Sequence, residues 1–160
     1  MRHISLDCLW NKPCHILAGW MALLFMFAAV SIPAQVIAES EDAKMLVLTI
    51  DGMELPVEWE NNESVEALKT LVSDKPLTVQ MSMYGGFEQV GSLGSHLPRN
   101  DAQTHTSYGD IVLYSGNQIV IFYGSNSWAY TRLGHIPDKT QAEMRGLLGL
   151  HDVTVTLSLR

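Results

Sequence analysis

The residues GDIVLYSGNQIVIFY at positions 109–123 contain two β-rich apolar runs separated by a tight turn. Residues 111–114 and 118–123 are each short and rich in β-branched and aromatic side chains, which is typical of buried strands. Ser115, Gly116 and Asn117 lie between the two runs and favour a hairpin. The stretch therefore predicts two neighbouring antiparallel strands.

Further strands are predicted on both sides of this hairpin. Apolar and polar side chains alternate in residues 77–83 and again in residues 152–159, as expected of half-buried strands. Asp51-Gly52 is a strong turn signal between residues 45–50 and 53–58. Residues 128–136 complete the set, whereas the polar residues 96–107 are predicted to form a surface loop.

Two short helices interrupt the strands. Ser64 is predicted to cap a helix that runs to about Val72. Thr140 and Glu143 have the spacing of a capping box, which opens a second helix that Gly149 ends. Short strands joined through two short helices indicate a mainly β domain.

The start of the chain has the pattern of a secretory signal peptide. Residues 16–30 are apolar and uncharged, basic residues precede them, and residues 36–38 fit a small-residue cleavage site. We therefore expect residues 1–38 to be a cleaved signal peptide, residues 39–44 a polar lead-in and residues 45–160 the folded domain. The alternative is a leader retained as a membrane anchor. We expect an exported protein, periplasmic or secreted.

The amino-acid composition limits the classes of molecule that the protein is expected to bind. The 160 residues leave room for one compact domain, and 47% of them are apolar. The formal net charge of −7 disfavours nucleic acid, because an acidic surface repels phosphates. Membrane contact is expected only through an uncleaved leader. We expect a monomer, and both cysteines, Cys8 and Cys14, lie in the leader.

Several motifs together resemble a known family. Leu97-Pro98, residues 109–114, residues 121–123 and residues 130–134 are similar to motifs of the small cyclophilin-like domain family of bacteria and archaea, which is distantly similar to cyclophilins. The resemblance covers about residues 45–159. It implies a closed eight-stranded cyclophilin-like β-barrel with two short helices covering its ends, and it implies no agreed activity.

The resemblance does not extend to the catalytic arginine of cyclophilins. Prolyl isomerisation needs a hydrogen-bond donor to the twisted amide, and a guanidinium suits that role. Residues 76–98, where cyclophilins carry it, contain no lysine or arginine. Arg99 is the nearest cation, and Arg132 lies in another strand. We therefore expect binding of a peptide or small ligand without strong catalysis. The alternative is a periplasmic peptidyl-prolyl cis-trans isomerase.

The predicted ligand-binding residues are aromatic side chains and the polar groups expected near them: Tyr84, Phe87, Arg99, Gln118, Trp128, Tyr130, Arg132 and His135. Aromatic side chains can line a groove for a peptide or an apolar ligand, although they can equally pack in the core. Arg132 has the alternative of a salt bridge. No cofactor is expected, and the histidines are too dispersed to predict a metal site.

Overall fold

The computed structural model describes residues 44–160, which form eleven strands and two helices. The strands are β1 (Leu46–Ile50), β2 (Met53–Leu55), β3 (Glu58–Trp59), β4 (Leu77–Gln80), β5 (Ser82–Tyr84), β6 (Glu88–Ser92), β7 (Ala102–His105), β8 (Asp110–Tyr114), β9 (Gln118–Phe122), β10 (Ser127–His135) and β11 (Thr154–Leu159). Helix α1 (Glu63–Leu71) follows β3, and α2 (Gln141–Leu148) follows β10. The predicted leader, residues 1–38, lies outside the described residues. Within residues 44–160, no helix has the length and apolarity needed to cross a membrane.

The smaller sheet has four antiparallel strands in the order β2-β1-β11-β4. The predicted turn joins β1 to β2, and Asp51 and Gly52 there have positive φ values of 48° and 83°. Two successive positive φ values are the backbone of a tight hairpin turn whose twist matches that of the strands. Strand β11 lies between β1 and β4, so the end of the chain is paired on both sides.

The larger sheet has the order β3-β10-β8-β9-β6-β5, and β7 pairs with β10 beside this path. The predicted hairpin is confirmed as β8 and β9, with Leu113 opposite Ile119. The prediction of a loop over residues 96–107 is wrong in part, because it includes β7. Strand β10 pairs with β8 only from Thr131 onwards, and β7 hydrogen-bonds the remaining backbone from Ser127 to Tyr130. The polar segment forms a strand because β10 extends beyond β8 and its free backbone groups need hydrogen-bond partners.

The prediction of a closed eight-stranded barrel is wrong. In the part of the chain that the structure describes, the strands form two open sheets of four and seven strands. The chain passes between the sheets at Pro56-Val57 and at Met81, but no ladder joins the sheets there. Pro56 has no N–H to donate to a ladder, and the N–H of Met81 donates to the Val153 carbonyl at 2.9 Å.

One buried apolar cluster connects both sheets and both helices. It includes Leu48 of β1, Leu157 of β11 and Ile121 of β9, all 0% exposed. Leu68 of α1 and Leu148 of α2 belong to the same cluster. The two helices therefore pack onto a core that the two sheets share, and apolar packing in that core stabilises the contact between the sheets.

The helix starts show how local chemistry sets the boundaries. The predicted cap Ser64 is wrong, because the N-cap lies two residues earlier, at Asn62, whose side chain accepts from the Val65 N–H at 3.0 Å. Ser64 is buried instead and donates to the Pro98 carbonyl at 2.7 Å. The capping box at α2 is confirmed, with Thr140 and Glu143 each accepting from the other's backbone N–H.

Candidate functional site

The outer face of the larger sheet, opposite the main core, is also apolar. Side chains alternate between the two faces of a strand. On β8 and β9, Ile111, Leu113 and Ile119 point into the main core. The alternate side chains Val112, Val120 and Phe122 form a second buried cluster together with Tyr130 of β10. Antiparallel sheets commonly leave one face to water, so a second apolar face indicates a contact surface.

A cavity of about 510 Å³ opens on this outer face, and we call it the aromatic cavity. Its aromatic lining consists of Tyr84, Tyr114, Trp128 and Tyr130. Its polar lining consists of Glu88, Gln118 and Asn126, and two valines complete it. A volume of several hundred Å³ with mostly apolar walls and few polar groups is typical of a small-molecule site.

Tyr130 is the fixed aromatic ring of the cavity. Its ring lies edge-on to Phe122, with 5.7 Å between the ring centroids, and to Tyr114, with 6.0 Å. Its hydroxyl accepts a hydrogen bond from Asn126 Nδ2 at 3.0 Å. Tyr130 is 5% exposed, whereas Trp128 is 56% exposed. The cavity therefore has a rigid interior and an open rim.

Glu88 is the acidic group of the cavity, and it is 6% exposed. On β6 it lies opposite Tyr84 on one side and Phe122 on the other. Its Oε2 is buried, and no described residue hydrogen-bonds to it. Burial raises the pKa of Glu88 to about 7, because removal from water disfavours the charged form. Both protonation states are therefore present at neutral pH.

The structure brings four of the eight predicted site residues together at the aromatic cavity: Tyr84, Gln118, Trp128 and Tyr130. Phe87 lies beside the second cluster, and its ring stacks on Phe122 with a centroid distance of 6.4 Å. Arg99 does not line the cavity. It lies 3.5 Å from a carboxylate oxygen of Asp101 and is largely exposed.

Arg132 and His135 meet at Asp110, away from the aromatic cavity. Arg132 Nη2 donates to Asp110 Oδ1 at 3.0 Å, and Arg132 Nε donates to Glu60 at 3.3 Å. His135 Nδ1 lies 2.9 Å from the same Asp110 oxygen, so that nitrogen carries the proton, since a carboxylate only accepts. Ser107 N–H donates to the other oxygen at 2.8 Å. Arg132 thus makes the salt bridge that was its alternative role.

The electrostatics of this cluster favour the ionised carboxylate. Burial by itself raises the pKa of Asp110. The hydrogen bonds from the Ser107 N–H, His135 and Arg132 outweigh burial, so the pKa lies below its ordinary value. Asp110 is therefore a structural anion that fixes the directions of two side chains.

Five cavity residues were not among the predicted site residues: Glu88, Val90, Tyr114, Val120 and Asn126. Tyr114 could have been found from the alternation along β8, because it shares a face with Val112, and its strand partner is Gln118. To predict Glu88 as a cavity residue, one must know that β6 pairs with β9, and the sequence does not specify that pairing. Asn126 lies in a loop without a recognisable signal.

Metal ligands do not cluster in the described part of the chain. Across residues 44–160, no group of three or more His, Cys, Asp or Glu side chains is placed to hold a metal ion. The Asp110 cluster holds two cationic or basic partners instead of further acids. The aromatic cavity is therefore the candidate site.

Comparison with known proteins identifies the family. The model of the cyclophilin-like family matches residues 48–159. The solution structure of the hypothetical protein AF2241 from Archaeoglobus fulgidus is similar, with a TM-score of 0.50, 18% sequence identity, and coverage of 73% of this chain and 95% of that chain. At this identity the likeness supports the fold alone. No curated protein matches. The chain belongs to the cyclophilin-like family.

Proposed function

We propose that this protein is exported and that it binds a small ligand, or a short peptide segment, in the aromatic cavity without strong catalysis. The observation that carries the proposal is the cavity itself. Four aromatic side chains from three strands converge there with three polar side chains, on a sheet whose other face is anchored in the main core. Rigid walls with a few convergent polar groups favour binding.

The arrangement of cations argues against strong isomerase activity. A prolyl isomerase needs a donor aimed at the twisted amide. Among the described residues, no lysine or arginine lines the aromatic cavity. Arg99 and Arg132 lie near carboxylates elsewhere. Glu88 is the titratable acid of the cavity, and its anion would oppose charge building on a carbonyl oxygen.

A ligand screen with a matched pair of variants tests this proposal. We expect ¹⁵N NMR titrations of the protein with small aromatic compounds, small amines and proline-containing tetrapeptides to shift the resonances of cavity residues. The Trp128→Ala change should weaken binding about tenfold or more, because a rim aromatic side chain supplies much of the contact area. Met45→Ala is the control, since Met45 is equally exposed (56%) and does not line the cavity.

The same protein is then assayed with a proline-containing tetrapeptide. Uncatalysed exchange takes tens to hundreds of seconds at about 25 °C, so modest catalysis is visible. We expect the rate to stay at background. Rapid exchange that Arg99→Ala or Arg132→Ala abolishes would overturn the binding proposal in favour of the isomerase. Equal ligand affinity for Trp128→Ala and the unchanged protein would show that the site lies elsewhere.

Export rests on the leader pattern in residues 1–38. We expect mass spectrometry of the protein recovered from an exporting host to show Glu39, or a near neighbour, as the first residue. A version with lysine residues inserted into residues 16–30 is the control, because a charged h-region should block export. A product that keeps residues 16–38 and sediments with membranes would support the retained anchor instead.

A further inference from the structure

The carboxyl group of Glu88 is an unsatisfied polar group inside a cavity. Glu88 is 94% buried, and its Oε2 has no hydrogen-bond partner among the described residues. Buried polar groups are almost always paired, so a native exception requires an explanation. A partner that arrives with the ligand explains it. That partner must donate hydrogen bonds, carry positive charge, or do both.

The walls around Glu88 favour a positive charge. Tyr84, Tyr114, Trp128 and Tyr130 line the same cavity. The faces of aromatic rings carry negative potential and attract ammonium groups, tryptophan most strongly. A carboxylate beside several aromatic rings is chemically suited to an alkylated ammonium, whose methyl groups also contact the valines. A neutral ligand of the same shape would gain the apolar contact without the electrostatic one.

The distribution of charged residues also favours a positively charged ligand in the cavity. No Lys, Arg or His of residues 44–160 lines the cavity, so Glu88 has no internal counterion there. The whole chain carries a formal net charge of −7. Both the local and the overall field therefore attract cations. The volume of about 510 Å³ suits a small molecule.

We infer that the aromatic cavity binds a small organic cation, with an ammonium group held by the Glu88 carboxylate and enclosed by the rings of Trp128 and the cavity tyrosines. This inference rests on the proposed function and specifies its ligand class. It goes beyond the apolar proline contact that an isomerase would make, because it assigns the acidic side chain a direct role in binding.

Two probes of the same shape and different charge test it. Choline and 3,3-dimethylbutan-1-ol differ in one atom, a quaternary nitrogen in place of a quaternary carbon. We expect NMR titration of the protein expressed from the full sequence to give a choline affinity about tenfold or more above that of the alcohol. We expect the shifted resonances to include Tyr84, Glu88 and the Trp128 indole.

Matched variants assign the effect to Glu88. Glu88→Gln keeps the shape of the side chain and removes the charge, so choline binding should weaken about tenfold while binding of the alcohol stays within about twofold. Glu66→Gln is the control, because Glu66 is an exposed glutamate of α1 that pairs with Lys69. Should Glu88→Gln fail to fold, Trp128→Leu tests the same inference. It keeps an apolar rim, and choline should lose affinity relative to the alcohol.

The affinity for choline should also rise with pH. Choline is a permanent cation, so the titrating group is Glu88. Its pKa of about 7 predicts an increase in affinity of about fivefold from pH 6 to pH 8, since the protonated form retains about a tenth of the affinity, as Glu88→Gln does. The titratable side chains that line the cavity together with Glu88 are Tyr84, Tyr114 and Tyr130. Tyr123 does not line the cavity but is close enough to be affected by the charge of Glu88. Burial raises the pKa of Tyr123 and Tyr130, so these two stay neutral in this range.

Equal affinity for the two probes, or binding of neither, would overturn the inference of a cationic ligand. Equal affinity that Trp128→Ala abolishes would leave the proposed ligand site standing and change only the class of ligand. No response to Trp128→Ala with any ligand would instead contradict the proposed function. The two failures are therefore distinguishable.

Discussion

The Glu88→Gln protein is expected to be more stable than the unchanged protein by about 3 kcal/mol at pH 8, and equally stable near pH 4. Burial raises the pKa of Glu88 from 4.5 to about 7. Each unit of difference between the folded and unfolded pKa corresponds to about 1.4 kcal/mol. Glutamine has the same shape and never carries the charge, so it avoids this cost.

The sign follows from proton binding. Below about pH 4.5 both the folded and the unfolded states hold the proton on Glu88, and the carboxyl group costs little. Between about 4.5 and 7 the unfolded state has released the proton and the folded state still holds it, so stability falls as the pH rises. Above about pH 7 both states are ionised and the difference is constant. The advantage of the variant should therefore develop across this window.

Urea denaturation at pH 4, 6 and 8 measures this directly. The midpoint of Glu88→Gln should move away from that of the unchanged protein as the pH rises, with equal slopes. Glu66→Gln should show no such divergence, because Glu66 is on the surface. A difference that is the same at all three pH values would show that the Glu88 carboxylate is well solvated in the folded state.

A large gain would also bear on function. A residue that destabilises the folded protein at neutral pH is usually retained for a task, since stabilising substitutions at binding sites commonly reduce activity. If choline stabilises the unchanged protein and not Glu88→Gln, the cost of the buried acid is offset by its ligand. Stability and binding then report on the same carboxyl group.

The sequence predicted local elements well and their assembly less well. The β8–β9 hairpin followed from its apolar runs, and the α2 capping box followed from Thr140 and Glu143. Both depend on residues that are near one another in the chain. The open sheets and β7 depend on distant pairings. Strand β7 is polar apart from Ala102 and forms because β10 is longer than β8.

The same distinction explains the site. Tyr84, Trp128 and Tyr130 could be proposed from aromatic character alone. In the sequence, Glu88 is an ordinary polar residue of a Gly-rich segment, and nothing near it indicates burial. It is buried because β5 and β9 flank β6 in the sheet. Arg132 was proposed for its charge within a strand, but the acid that it pairs with follows from the pairing of β8 with β10. A charged residue within a predicted strand therefore indicates that an oppositely charged partner exists, but the sequence does not identify which residue that partner is.

Asp110→Ala is expected to lower the free energy of unfolding by about 3 kcal/mol, because it removes a buried, hydrogen-bonded carboxylate. The Asp110 side chain is 5% exposed and accepts from Ser107, Arg132 and His135. Its removal leaves the Ser107 N–H without its acceptor and the Arg132 guanidinium beside an apolar gap. Arg132→Ala should cost less, about 1 kcal/mol, because Asp110 keeps its other two donors.

The pH dependence separates this structural role from a binding role. The pKa of Asp110 lies below its ordinary value of 3.8, so its contribution is complete above about pH 4 and is lost as the pH falls through the lower folded-state pKa. Asp110→Asn should abolish that acid-induced loss while it retains the side-chain volume, and urea denaturation at pH 3 and pH 7 measures both effects. Choline affinity at pH 8 should be unchanged in Asp110→Asn, because Asp110 does not line the aromatic cavity. A stability change within about 0.5 kcal/mol, the range of exposed positions, would contradict the anchoring role of Asp110 and return Arg132 to consideration as a free ligand-binding cation.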